Sequence, residues 1–446
     1  MASCSDTTTR PAEDENANSV DLWYHLGVDA LRSSNRTIVV SGTIYTAQQC
    51  FVKALACNPD CGHVWEMICA TLNGPKEAVC INGAKYTLQQ CLEQALRCDP
   101  NKRQRWVNLG VTLRDGGGTG VVNGKSFSMQ QCFLEAIRCD PNDRNAWFLV
   151  GCGLADGQTV VIDEKEYSSQ QCFVQTLRCD ANYGKGWYNL GLTVRKGEVV
   201  FIGGKVHTSQ QCYLKALRCD PSLSQAWCAL GADITGDQTI DVNGNDYTKQ
   251  KCLIEALRCN ANYTTAWFLL GSGINRNQSV TVCGKEYTEI DCYLETLRCN
   301  PHHGGAWCYL AIINATVVFN GKEYTARQCF AEALQCPPSE GVQINRRYLW
   351  SRLGGTLTSG ETVVVDGKDY NEQQCYLEAI RLDPDDVCDW SKLRGTMSIG
   401  ETVKAPFDDF SIFRKEEDGV LCRIPSALNA ENSEAPKVDR LSSIFP

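Results

Sequence analysis

Apolar positions along the chain switch between two spacings. In NAWFLVGCGL (145–154) they recur three and four residues apart, the stripe of an amphipathic helix. In VVNGKSF (121–127) and VVVDGKDY (363–370) β-branched residues flank Asn-Gly or Asp-Gly, the preferred chemistry of a two-residue hairpin turn. In QQCFLEAIRC (130–139) the helical spacing returns. The pattern predicts a helix, a short β-hairpin and a second helix, in that order, over and over.

The recurrence is regular enough to set the architecture. The cysteine after Gln-Gln, or its equivalent, falls at 50, 91, 132, 172, 212, 252, 292, 329 and 375, at intervals of 37 to 46 residues and mostly 40 or 41. Tryptophan keeps the same beat from Trp23 to Trp390. One helix pair cannot bury its own apolar face, whereas stacked repeats make a continuous core in which each contacts its neighbours. Residues 20–403 therefore read as one array of nine repeats closed by a capping helix around Trp390. Residues 1–19 read as a disordered acidic leader. Residues 404–446 read as a flexible tail with an aromatic docking motif at 406–413, carried by Phe407, Phe410 and Phe413.

The start of the second helix is specified locally. Thr or Ser stands three residues before Gln, as in Thr87 with Gln90 and Ser128 with Gln131, which is a capping box. On this pattern Lys251 and Asp291 break the box. Asp-Pro or Asn-Pro then ends the helix, because proline cannot continue it. The paired cysteines, such as Cys132 and Cys139, are two turns apart on one face, roughly 10 Å and beyond disulfide reach. They read as small buried hydrophobes. Leu382 in the second slot of the last pair supports that reading.

Composition narrows the chemistry. With 43% hydrophobic residues the chain can bury a core, and 52 acidic against 43 basic residues give a net charge of −9, which disfavours nucleic acid as main partner. The first residues lack a basic start and an apolar run, and no stretch of about 18 apolar residues occurs, so no membrane span and a reducing, cytoplasmic setting are expected. No phosphate-binding glycine loop, nucleophile elbow or metal-ligand spacing appears among the 27 cysteines and 5 histidines. The expectation is a protein with no enzymatic activity, no metal and no cofactor.

Trp106-Val-Asn-Leu109-Gly110 and Trp187-Tyr-Asn-Leu190-Gly191 resemble the first helix of a tetratricopeptide repeat, and LEAIRCDPND (134–143) resembles the end of that family's second helix with its following turn. The family repeat has 34 residues. The surplus here falls at the hairpin. The resemblance implies a mainly α fold with short β-hairpins, an α-solenoid wound as a right-handed superhelix, whose inner groove is lined by the residue after each tryptophan. Those implied groove residues are Tyr24, Val107, Phe148, Tyr188, Cys228, Phe268 and Cys308, with Glu66, Ser351 and Ser391 completing the row.

A mostly apolar groove suits an extended peptide or an amphipathic helix, so a protein-binding adaptor is the leading reading. The same side chains would equally serve to pack neighbouring first helices together. A self-assembling structural protein, stacking through hairpin edges, is the second reading. RNA binding through the arginines that close the second helices (Arg97, Arg138, Arg178, Arg218, Arg258, Arg298, Arg381) is the third, opposed by glutamates three residues earlier that would pair with several of them.

Overall fold

Each repeat folds as its pattern dictates. The computed structural model describes residues 9–10, 19–74, 77–236, 238–276, 278–313, 316–337, 345–404, 412–416, 419, 421–424 and 439–440. The chain divides into two bodies, Met1–Pro221 and Ser222–Pro446, described separately. In the N-terminal body the first helices are Val20–Arg32, Gly62–Cys69, Arg103–Gly116, Arg144–Gly153 and Gly184–Thr193. The matching second helices are Ala47–Cys57, Leu88–Cys98, Met129–Cys139, Ser169–Cys179 and Ser209–Cys219. The C-terminal body continues the alternation with first helices Ser224–Asp233, Thr264–Gly271, Gly304–Ile313, Arg346–Gly354 and Val387–Thr396. A two-stranded antiparallel hairpin sits between the two helices of a repeat, as at Gly120–Val122 with Lys125–Phe127. Each body is an α-solenoid of helix–hairpin–helix repeats.

The hairpins owe their register to their turns. Asn123 and Gly124 lie at φ 49° and 76°, and Asp366 and Gly367 at φ 51° and 75°, the left-handed pair that matches strand twist. One strand face is buried on the helices, with Val122, Ile162, Val282 and Val365 all under 5% exposed, and the other faces outward. The turn at Asp163–Glu164 lacks glycine although Glu164 holds φ 64°. Glu164→Gly is therefore expected to raise stability by about 1 kcal/mol, read as a higher midpoint in urea; an unchanged or lower midpoint would show that the turn is not strained.

The QQC signature has three separate jobs. Its first glutamine reaches the next repeat: Gln89 donates to the Thr119 carbonyl at 3.0 Å, and Gln373 to the Thr396 carbonyl at 3.2 Å. Its second glutamine closes the capping box, as Gln131 does with Ser128. The cysteine is fully buried at positions 50, 91, 132, 172, 212, 252, 292, 329 and 375. Asp291, read from sequence as a break, still completes a box with Thr288, its shorter carboxylate accepting the same backbone N–H at 2.9 Å. Lys251 does break it, since an ammonium has no acceptor to offer and only the Thr248 half is made.

The second cysteine of most pairs corrects the sequence reading, while Cys336, 6% exposed, keeps to it. Cys139, Cys179 and Cys219 are only half-buried, Cys259 is exposed, and Leu382 is 45% exposed. They sit in the last helical turn, where the preceding repeat's turn covers them from one side only. Cys139, for example, lies 3.6 Å from the Pro100 carbonyl.

Both ends are more structured than expected. Thr9–Arg10 pairs in parallel with Thr37–Val40. Beyond Trp390, Thr402–Lys404 pairs with Ile412–Lys415 and that strand with Leu421–Ile424. Phe413 is 4% exposed and packs on Trp390 with ring centroids 4.8 Å apart. This is the contact that Trp106 makes with Phe127 and Trp147 with Tyr167. The Trp390 segment thus carries a hairpin of its own, and Phe413 is engaged in it rather than held out for docking. Phe407 and Phe410 lie outside the described residues.

Candidate functional site

Packing fixes how the first helices present themselves. The tryptophan is anchored by its indole N–H, which donates to a carbonyl six residues back: Trp106 to Pro100 at 2.7 Å, Trp147 to Pro141 at 2.8 Å and Trp307 to Pro301 at 2.9 Å. One turn on, a glycine lets the second helix approach. At Gly110 an added Cβ would stand 2.4 Å from the Phe133 ring, and at Gly191 2.5 Å from the Tyr213 ring. With the helix held on both counts, the residue after tryptophan points sideways at the next first helix.

That rotation changes the role of the implied groove. Val107, Cys228, Phe268 and Cys308 are buried, and Tyr24, Phe148 and Tyr188 half-buried. Tyr24 meets His63 edge-on at 4.9 Å, Phe148 meets Tyr183 at 5.3 Å, and Phe268 packs against His303 at 4.8 Å. Glu66 accepts from Arg105 Nε at 3.1 Å. Ser351 donates to Asp389 at 2.5 Å. The row is a seam between successive first helices within each body, so it is mostly unavailable as an open lining.

Two tyrosines of the C-terminal body face out, Tyr309 two residues after Trp307 and Tyr348 two residues before Trp350. On an α-helix that is about 200° away, opposite the buried ring. Tyr309 and Tyr348, from consecutive first helices of the C-terminal body, are 39% and 37% exposed. Arg352 stands 5.9 Å from the centre of the Tyr348 ring. Tyr309 also stacks on Tyr293, with centroids 5.4 Å apart and planes 24° apart. Tyr293 is fully buried, and its hydroxyl is the one buried side-chain polar atom among the described residues without a hydrogen-bond partner. Burial, with Glu289 adding to it, pushes that phenol above its ordinary range.

The arginine row is largely spoken for. Arg138 pairs with Glu135, Arg298 with Glu295, Arg258 with Glu255 at 2.9 Å, Arg381 with Glu378 at 2.8 Å and Arg97 with Asp60 at 3.1 Å. A polyanion would have to displace those carboxylates one by one.

The buried thiols whose pKa is raised do not resemble nucleophiles, which need a lowered pKa. Burial raises Cys132, Cys172 and Cys212 to about 12. Cys69 is raised too, first by its hydrogen bond with Cys91 and then by burial. Among the described residues no group of three or more His, Cys, Asp or Glu side chains gathers as a metal site, and no helix is long and apolar enough to cross a membrane.

No protein-family model and no curated protein matches the chain. Among solved structures it is similar to YrrB, a TPR protein with an unusual peptide-binding site, at 16% identity and TM-score 0.31 over 48% of this chain and 92% of that one. It is similar to yeast Tom70 at 12% identity and TM-score 0.36, over 79% of this chain and 66% of that one. A human IFIT1 dimer with PPP-AAAA is similar at 15% identity and TM-score 0.28, over 84% of this chain and 68% of that one.

Proposed function

We propose that the chain is a non-enzymatic protein-interaction scaffold that holds an extended peptide segment of a partner protein on the first-helix face of its C-terminal body. The observation that carries this reading is the exposed Tyr309, stacked on Tyr293 with its unpartnered hydroxyl, together with the exposed Tyr348 on the next first helix. Tyrosine supplies large contact area at small entropic cost and dominates binding hot spots. A buried hydroxyl with no acceptor is unfavourable by about 1–3 kcal/mol, and a peptide carbonyl reaching it as Tyr309 turns aside would recover that. Arg352 beside Tyr348 favours a segment with an acidic side chain or a free C-terminal carboxylate.

Tyr309→Ala/Tyr348→Ala is the informative variant, because both rings are partly exposed. Tyr309 also touches Phe268 at 5.6 Å, so an unchanged thermal melt is the control that the seam still closes. Partners captured by the wild-type chain are identified, and the bound segment is resynthesised and titrated against both proteins. A loss of affinity of roughly 30-fold is expected for two hot-spot rings; equal affinity would reject the face. Phe268→Ala would mislead in this test, since that ring is 7% exposed and holds the seam.

Self-association is the second reading, favoured by one observation. The outward hairpin face of the N-terminal body exposes Ile44 (65%), Val161 (56%), Phe201 (65%) and Val206 (59%). Sedimentation across a concentration series separates the two readings: a scaffold keeps its mass, whereas assembly through this face grows and is blocked by Phe201→Lys.

A further inference from the structure

In the Trp106 repeat a cavity of about 310 Å³ lies between the second hairpin strand and the second helix, lined by Lys125, Phe127, Gln131, Leu134, Glu135 and Arg138. Its charge is largely cancelled, because Glu135 pairs with Arg138. Eighty residues on, the Trp187 repeat repeats the same elements in the same register: strand Lys205–His207 pairs as Lys125–Phe127 does, and helix Ser209–Cys219 is capped like Met129–Cys139. The corresponding positions are Lys205, His207, Gln211, Leu214, Lys215 and Arg218. The one carboxylate has been replaced by an ammonium.

The shared register thus sets three cations on the paired strand and helix at the positions that line the cavity in the Trp106 repeat. Among the described residues none of Lys205, Lys215 and Arg218 has an ion-pair partner, although Lys215 is half-buried. His207, 9% exposed and edge-on to Trp187 at 5.2 Å, stands where other repeats place a tyrosine or phenylalanine. Burial, and after it the Lys215 and Lys205 ammonium groups, lower its pKa. The acids near the helix end are Asp180, engaged by Arg144, and Asp220; both act, together with Lys215, on Cys219, one turn further along the same helix face. No other second helix combines a strand lysine, a mid-helix lysine and a closing arginine; the Trp23 repeat has Lys53 alone, spread over the Trp23 ring at 5.6 Å.

We infer that the notch of the Trp187 repeat, formed by Lys205, Lys215, Arg218 and His207, binds a phosphoryl group. A tetrahedral dianion accepts from several directions at once, which suits two flexible ammonium groups and a guanidinium on a common rim better than a single carboxylate would. The imidazole adds a fourth donor, because a bound dianion favours its protonated form. The site lies on the hairpin side of the N-terminal body and is independent of the tyrosine face, so failure of either leaves the other standing.

The test uses the full-length chain in low salt, titrated calorimetrically with inorganic pyrophosphate and, separately, with a short phosphoserine peptide and its unphosphorylated twin. Wild type should bind one equivalent of each phosphorylated probe, with affinity falling as salt rises and none for the twin. Lys215→Glu restores the residue found in the Trp106 repeat, so it should fold normally, and it should weaken binding by roughly tenfold or more. Glu135→Lys should create a second equivalent. His207, followed by its imidazole NMR signal, should titrate at higher pH with pyrophosphate present than without. Tighter binding of the peptide assigns the phosphoryl group to a modified protein; tighter binding of pyrophosphate assigns it to a free phosphate compound. Binding unaltered by Lys215→Glu would mean diffuse attraction only and would overturn the site, as would no binding at low salt.

Discussion

Gly110→Ala is expected to destabilise the N-terminal body by roughly 2–3 kcal/mol, the range for forcing one methyl group into a filled core. The new Cβ would stand 2.4 Å from Phe133 Cε1 and 2.8 Å from Cδ1, and the Phe133 ring is 2% exposed with no room to withdraw. Either the two helices part or the ring leaves its well, and both disturb the tryptophan seam above. The chain shows the trade itself. Where the Trp65 repeat replaces this glycine by Cys69, the aromatic below becomes Leu92. The Trp307 repeat carries Ala311 above Phe330, so the limit at Gly110 is local helix spacing rather than the ring alone. Phe133→Leu should therefore cost less in the Gly110→Ala background than in the wild type, and urea titration of the four proteins measures that coupling. Additive effects would refute the close-approach account.

Asp389→Ala should cost the C-terminal body about 3 kcal/mol, near the lower end for breaking a buried ion pair. Asp389 is fully buried and accepts from Arg347 Nη1 at 2.7 Å, Ser351 Oγ at 2.5 Å and Lys392 Nζ at 3.3 Å. Lys392 donates in turn to Ser351 Oγ at 2.6 Å. Arg347 also holds Asp386 at 2.5 Å, and these carboxylates push the guanidinium pKa up against the opposing pull of burial. The lower end of the range applies because Arg347 and Lys392 keep side-chain exposures of 24% and 43%, so water softens the loss. At this seam ions do what Phe268 and His303 do with rings. Replacing both partners, as in Arg347→Met/Asp389→Leu, should recover most of the loss, since no charge is then left unpaired. A thermal melt in which the single variant matches wild type would remove the hub from the account.

Legibility differed by the range of the interaction. The capping boxes at Thr87 and Ser128, the hairpin turn at Asn123–Gly124 and the helix stop at Asp140–Pro141 were readable because each is settled among residues a few places apart. Asp291 was misread because the pattern for the box was drawn too narrowly around glutamine. The groove residues were placed by resemblance, and the tail aromatics by their composition. Neither argument contains the rotation of a first helix against its neighbour, so neither separates Phe268, sealed against His303, from Tyr309, facing out.

The sequence alone determined the period, the order of elements and their ends, because those follow from side chains satisfying backbone groups nearby. The tertiary structure decided which side of each first helix closes and which stays open. That choice is made by contacts between residues about 20 to 40 places apart, such as Gly110 against Phe133 and Gln89 against Thr119. It decided the fate of Phe413 for the same reason, since a ring finds Trp390 through strand pairing that no local pattern encodes.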